Sequence, residues 1–327
     1  MKKNIKTLFN VITLFLAFIF PLFPEEENES PLKIYLQTAG AYYPASECKT
    51  DGSNFAPVTG AFSGIECSTT LFADYKIETP LGRHWLLKDA NVLVSGGIQV
   101  SPISLLPQIS VGFQPFPFFV IKAGAMLGLG WNFMGFEGLC EFDEEKREYK
   151  ALSTLSHPYY NFWAESMLMF DTGAIIPGDW THVVMLAAFR TYYSGVAGIG
   201  RHDVFEWQGS KNYVQGFQYE FRGIVGYQPP LVLNLAGVMC KTEGHFDGAD
   251  YGNFNSNFDG DFCTVSLSPM FQFKFGEKDE LLFMFDFSSR RQFNFEHDKA
   301  EEELYLKSTG REWYFKRFVI SWTHIFR

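Results

Sequence analysis

The sequence predicts an all-β chain: a closed antiparallel transmembrane β-barrel of about twelve strands, within a range of about ten to fourteen, with short periplasmic turns and long extracellular loops. Three observations carry this. Residues 32–326 repeat one pattern, a run of alternating apolar and polar side chains followed by a turn. The connections alternate in length, long after odd-numbered strands and mostly short after even ones. The apolar side of each run continues into aromatic residues at its ends, as at Trp131 and Phe133, Tyr160 and Phe162, Tyr193, Tyr213, and Trp322 and Phe326. Aromatic rings at both borders suit the headgroup layers of a bilayer.

Segment 118–134 shows the pattern. One face reads Phe119, Ile121, Ala123, Ala125, Leu127, Leu129, Trp131, Phe133; the other reads Val120, Lys122, Gly124, Met126, Gly128, Gly130, Asn132. Successive strand side chains point to opposite sides, so one face is wholly apolar and the other small and polar. No water reaches hydrocarbon, so strands that cross it must close on themselves to satisfy every backbone group.

Composition agrees. Of 327 residues 36 are Phe, yet charged residues remain at 20%, which fits an exterior for lipid and an interior for water. Mean hydropathy is near zero, too low for a helical membrane bundle. The net charge of −10 includes two acidic segments, 141–148 and 297–303, that are neither apolar nor periodic and are expected to be solvated loops. Nucleic acid would find no basic stripe and is excluded as a partner.

The N-terminus reads as a secretory signal peptide over residues 1–24. A basic start, Met1 to Lys6, leads into an apolar stretch over 7–20 broken by Pro21 and Pro24, and cleavage is placed between residues 23 and 30. The rest, 31–327, is expected to be one barrel domain.

Strand one is placed at 32–43, followed by a Gly/Ser/Thr-rich loop over 45–68. Strand two is 69–79, with Leu71, Ala73, Tyr75 and Ile77 opposite Asp74, Lys76 and Glu78, and Pro80 and Gly82 then break the chain. Strands three (91–101) and four (107–114) point Val92, Val94, Ile98, Ile109 and Val111 outward, and Pro115-Phe116-Pro117 turns into strand five. A long polar loop over 135–157 precedes strand six (159–175), and Pro177-Gly178-Asp179 turns into strand seven (182–194). A Gly-rich loop over 195–212 leads to strand eight (213–227), and Pro229-Pro230 to strand nine (231–241). Strand ten (262–275) and strand eleven (281–295) follow a Gly/Asn/Asp loop over 242–261. Strand twelve (311–326) carries Tyr314, Phe318, Ile320, Trp322 and Phe326 on its apolar face.

In this architecture the chain resembles a bacterial outer-membrane β-barrel protein, porin- or channel-like, with no single named family indicated. The resemblance implies residence in the outer membrane, contact with its lipid, and insertion by barrel-assembly machinery that reads an amphipathic, aromatic final strand. Ile320, Trp322 and Phe326 fit that signal, although Phe326 is penultimate and Arg327 is last.

Candidate function lies on the polar face. The alternation directs Lys33, Asp74, Lys76, Glu78, Lys122, Glu165, Asp171, Arg190, Tyr192, Glu220, Arg222, Lys274, Asp286, Arg290 and Arg317 into the lumen. Glu165 and Arg190 flank one hairpin at nearly equal distances and should meet. Facing charges of both signs create a transverse field that selects small polar solutes; the slight excess of basic groups favours anionic ones. The same groups would otherwise simply pair and fill the interior. The expected function is therefore a channel that passes or binds small polar solutes. The alternative is a surface adhesin or ligand-binding protein that uses its long loops on a barrel scaffold.

An outer-membrane phospholipase would need a Ser–His pair. His182 and His324 have no Ser and Asn at convincing neighbouring positions, so no catalytic residue is assigned. Cys48 with Cys67, and Cys240 with Cys263, flank long loops and stand where disulfides would close them. No spacing resembles a zinc site, and neither metal nor cofactor is expected. Acidic spacing from Asp247 to Asp261 suits solvated turns as well as calcium.

Overall fold

The computed structural model describes residues 30–84, 86–153 and 156–327. The predicted signal peptide, 1–24, lies outside the described residues. The main sheet has 13 strands, one of which is the two-residue segment Phe55–Ala56 added in parallel to the last strand. The other twelve form the wall: β1 (Leu32–Ser46), β2 (Val58–Glu78), β3 (Asn91–Ser101), β4 (Ser104–Phe116), β5 (Phe119–Gly130), β6 (Tyr159–Asp171), β7 (Val183–Val196), β8 (Gly216–Tyr227), β9 (Leu233–His245), β10 (Thr264–Phe275), β11 (Asp279–Phe293) and β12 (Ser308–Ile325). Each pairs antiparallel with its sequence neighbours, and β1 pairs with β12 from Tyr35↔Ile325 to Tyr42↔Phe318. The sheet is closed and has no free edge.

The exterior is apolar. Leu71, Ile98, Ile109, Ile121, Phe162, Leu168, Phe217, Val225, Val238 and Ile320 all lie at least 40% exposed on outward faces. So large a continuous apolar surface is unstable in water and is what a lipid-facing wall requires. Rings border it: Tyr160, Tyr193 and Phe217 contact one another near one rim, at centroid separations of 6.2 and 5.0 Å. Trp322, Phe326 and Phe275 lie exposed near the other. No described helix is long and apolar enough to cross a membrane, and the wall crosses by strands.

Several predicted boundaries move. β2 begins at Val58, so most of the predicted 45–68 loop is strand: β2 is 21 residues long, roughly 70 Å, and rises beyond the hydrocarbon layer. β5 ends at Gly130; the Trp131 indole N–H instead donates to the Pro102 carbonyl at 2.9 Å. β6 stops at Asp171, whose carboxylate accepts from the Gly173 N–H and caps a 3-10 turn. Tyr314 leaves the apolar face. The register passes from Asp286↔Arg317 to Phe287↔Phe315, and this bulge at Lys316 inverts the alternation upstream of it.

The long connections fold into one cap. Leu139–Asp143 with Glu148–Ala151, and Phe205–Trp207 with Ser210–Tyr213, form two hairpins joined into a four-stranded sheet. The second hairpin turns on Gln208 and Gly209, both with positive φ (51° and 81°), the backbone of a tight two-residue hairpin. Beneath this sheet Phe142, Val204, Val214, Tyr251, Phe254, Phe258, Phe293 and Leu304 pack as one apolar cluster. The acidic segments expected to be solvated are therefore partly structural: 141–148 is largely hairpin, and Leu304 in the turn Ala300–Tyr305 is fully buried. Asn212 ties the loops together, accepting from the Tyr149 hydroxyl at 2.8 Å and donating to the Ala300 carbonyl at 2.8 Å.

The cap leans on the one short connection at its end of the barrel, residues 102–103. The Trp131 N–H donates to the Ile103 carbonyl at 2.9 Å, and Gln208 donates to Ser104. Gly138 makes this approach possible, because a Cβ there would sit 2.3 Å from the Ile103 oxygen.

Candidate functional site: a charged lumen under a loop cap

Halfway up the barrel a row of facing residues crosses five strands: Lys122↔Glu165, Glu165↔Arg190, Arg190↔Glu220 and Glu220↔Glu243. Glu165 Oε2 accepts from Arg190 Nε at 3.0 Å and pairs with Arg222 Nη2. Arg222 Nε lies 2.9 Å from Glu220 Oε1, and Lys241 Nζ 2.7 Å from Glu243 Oε1. The Arg190 guanidinium stacks over the Trp163 ring at 4.4 Å. Gly124, facing that ring, leaves room for it: a Cβ would lie 2.6 Å from the indole. The expected meeting of Glu165 and Arg190 occurs, and both are almost wholly buried, at 2% and 1% exposure. Side chains that lined an open aqueous passage would be wetted. Here the charges pair with one another and fill the interior.

Below the ladder lies an apolar band of Val184, Leu235, Met239, Met270, Met284 and Val319 on the lumen face from β7 round to β12. Around the periplasmic rim, Lys33 faces Asp74 in register, with the Tyr35 hydroxyl 3.4 Å from the Asp74 carboxylate. Lys274 faces Glu280, while Lys76 and Glu78 are exposed at the end of β2. Asp171 faces the lumen-side Val184 in register at the periplasmic end of β6 and pairs there with His182 at 2.7 Å. The structure thus divides the predicted set into rim charges, a central ladder and an upper group, Tyr192, Asp286, Arg290 and Arg317.

Of the upper group, Tyr192, Arg290 and Arg317 line a cavity of about 340 Å³ between wall and cap. Arg317 pairs with Asp286 at 3.0 Å and donates to the Tyr43 hydroxyl at 3.0 Å. Arg290 pairs with the buried Glu312 at 2.6 Å. Lys241, Glu243, Arg291 and Lys316 also line this space and were not legible as lumen residues. Glu243 falls where the alternation was ended too early, and Lys241 is the last residue of that predicted strand. Lys316 is concealed by the bulge, whose only sequence signal is the adjacent pair Lys316-Arg317 inside an otherwise alternating strand.

Both predicted disulfides are absent: all five cysteines are free thiols. The register gives the reason. Cys67 faces Gly40, six residues short of the end of β1, whereas Cys48 lies beyond that end; the offset is roughly 20 Å. Cys240 faces Leu267, four residues past Cys263, roughly 13 Å along the strand. A bridge needs Cα atoms within about 7 Å. Denatured without reductant, the chain should therefore take up five maleimides by mass spectrometry; uptake of three or one would contradict this pairing.

His182 and His324 each hydrogen-bond a carboxylate, Asp171 at 2.7 Å and Asp279 at 2.8 Å; no described serine hydrogen-bonds either ring. Ser156 and His157 touch at 2.6 Å through Nδ1, but they are sequence neighbours on an exposed loop. In the 247–261 loop, Asp247 caps a 3-10 turn, and Asp250 is buried against His245 and Arg201. One group, Glu137, Cys140 and Glu206, brings three potential ligand atoms within 4.8 Å of one another. Burial pushes the Cys140 thiol well above its ordinary range, and it donates to Glu137 at 3.0 Å.

These features define the class: a transmembrane β-barrel of the bacterial outer-membrane type, closed at mid-height and capped at one end. No family model and no curated protein matches the chain. Among solved structures it is similar to the NanC porin (8% identity, 88% of this chain and 98% of the other, TM-score 0.39). It is similar also to the outer membrane channel DcaP of Acinetobacter baumannii (10%, 90% and 96%, 0.37), and to the translocator domain of autotransporter NalP from Neisseria meningitidis (9%, 91% and 90%, 0.39). Similarity at this level identifies no family, and the class rests on the barrel itself.

Proposed function

We propose that this protein is an outer-membrane channel for small polar solutes, held closed by its loop cap and by the Glu165–Arg190–Arg222 ladder. The observation that carries the reading is the polar cavity of about 340 Å³ inside the barrel. A barrel serving only as a scaffold for its loops has no need of a charged, polar chamber beneath them. Solutes would enter when the cap lifts and leave downward when the ladder exchanges partners. Porin and channel structures of similar architecture are compatible with this role but do not argue for it.

Planar-bilayer recording tests the proposal. Wild-type protein should show rare, brief openings. Deleting residues 139–151 should make conductance frequent, and Arg190→Gln should shift its selectivity toward cations. Silence in all three forms would favour the scaffold alternative, in which the cap itself binds an extracellular partner.

A further inference from the structure

Six cationic side chains line the cavity: Lys211, Lys241, Arg290, Arg291, Lys316 and Arg317. Four have a carboxylate within ion-pair distance: Glu301, Glu243, Glu312 and Asp286, in that order for Lys211, Lys241, Arg290 and Arg317. Arg291 has none, but its guanidinium donates to the Asp259 carbonyl at 2.9 Å and lies over the Phe258 ring at 3.9 Å.

Lys316 is different. Among the described residues it makes no hydrogen bond and no ion pair, and the carboxylates acting on it at longer range, Asp286, Glu243 and Glu66, are engaged by Arg317, Lys241 and the Tyr43 hydroxyl. It reaches the lumen only because the β12 bulge turns two consecutive side chains inward. A regular strand would have sent this ammonium into lipid, where a charge costs several kcal/mol. The bulge therefore delivers to this cavity an ammonium with no carboxylate in ion-pair contact. That chamber is also lined by the hydroxyls of Tyr192, Ser288 and Tyr314 and the amide of Gln218.

We infer that Lys316 anchors a binding site for a small hydroxylated anion, a solute of monosaccharide size carrying one carboxylate or phosphate. An anion would give Lys316 the direct partner it lacks among the described residues, and the hydroxyl-rich lining would take the place of the anion's hydration shell. The volume sits at the lower end of the range for small-molecule sites, which excludes oligomers from the closed chamber. The inference deepens the channel reading, since the cavity is the same.

The test is equilibrium dialysis, which tolerates slow entry past the cap, on the full-length protein in detergent. The probes are glucuronate, glucose 6-phosphate and glucose. Glucuronate or glucose 6-phosphate should be retained and glucose not, and which anion is held more tightly separates carboxylate from phosphate. Lys316→Met should weaken retention by about tenfold or more, the worth of one charge-assisted contact, while Lys316→Arg should stay within about threefold of wild type. Circular dichroism of both variants checks that the barrel has formed; if the Met variant fails to fold, Lys316→Gln replaces it. Equal retention of glucose, no retention by wild type, or unchanged affinity in the folded Met or Gln variant each overturns the site. Bilayer recording on the same samples keeps the two readings apart. Binding without conduction removes the channel and leaves the site; conduction without binding does the reverse.

Discussion

Glu165→Ala is expected to destabilise the folded barrel by about 3–5 kcal/mol, the cost of stranding buried charges. One carboxylate oxygen serves both Arg190 and Arg222, and both guanidiniums are under 5% exposed. Removing the carboxylate leaves two like charges side by side in a site with little water. Glu220, which still holds Arg222 Nε at 2.9 Å, compensates for only part of this. Replacing Glu165, Arg190 and Arg222 together by apolar residues of similar volume should cost far less than the single change, because no unpaired ion remains. Guanidinium unfolding of the refolded barrel, followed by tryptophan fluorescence, gives both values. If the ladder were wetted like a surface ion pair, the single variant would lose less than about 1 kcal/mol. That result would contradict the closed interior.

The ladder was legible in the sequence because strand alternation is strict where lipid lies on one side and a narrow lumen on the other. Glu165, Arg190, Glu220 and Arg222 each lie on the polar side of a strand whose other side is mostly apolar, as Phe189 and Phe221 show, so their direction follows from a period of two. The same logic failed wherever lipid no longer imposes it. Glu66, inside the predicted 45–68 loop but within β2, and Glu243, two residues from the end of β9, lie where the sequence turns rich in Gly, Ser and Thr, as loops do. The cap hairpins were missed for a related reason. Their pairing is non-local, Glu206 beside Cys140, and strands of three to five residues are too short for alternation to stand out. Asp171 keeps the parity that the alternation gave it, and because the strand ends on it, its carboxylate also caps the turn. The bulge at Lys316 shows the opposite error, in which one inserted residue reversed the reading of Tyr314.

Trp207→Ala is expected to release the cap while leaving the barrel intact. The indole stacks on Tyr159 at 4.7 Å and 8° and lies against Gly128 of the wall, where a Cβ would come within 2.6 Å of it. With Leu106, Met126, Leu139, Val196 and Phe205 it forms the cluster that seats the cap on the lumen wall. Truncating a buried Trp costs about 3–5 kcal/mol, and the loss falls on loop–wall contacts, since no wall hydrogen bond is touched. Gly128→Val should produce the same phenotype by the opposite route, filling the slot so that the ring cannot enter. In both variants the 197–215 loop should be cleaved at least about tenfold faster by protease added to intact outer-membrane vesicles, as a shift of more than about 1.4 kcal/mol in local opening requires. The global unfolding midpoint should stay within error of wild type, because the twelve-strand ladder of hydrogen bonds is undisturbed. Cleavage at wild-type rates would mean that Trp207 does not hold the mouth shut. A fall in the global midpoint equal to the local effect would mean that cap and barrel unfold as one unit, and a channel gated by cap movement would then be ruled out.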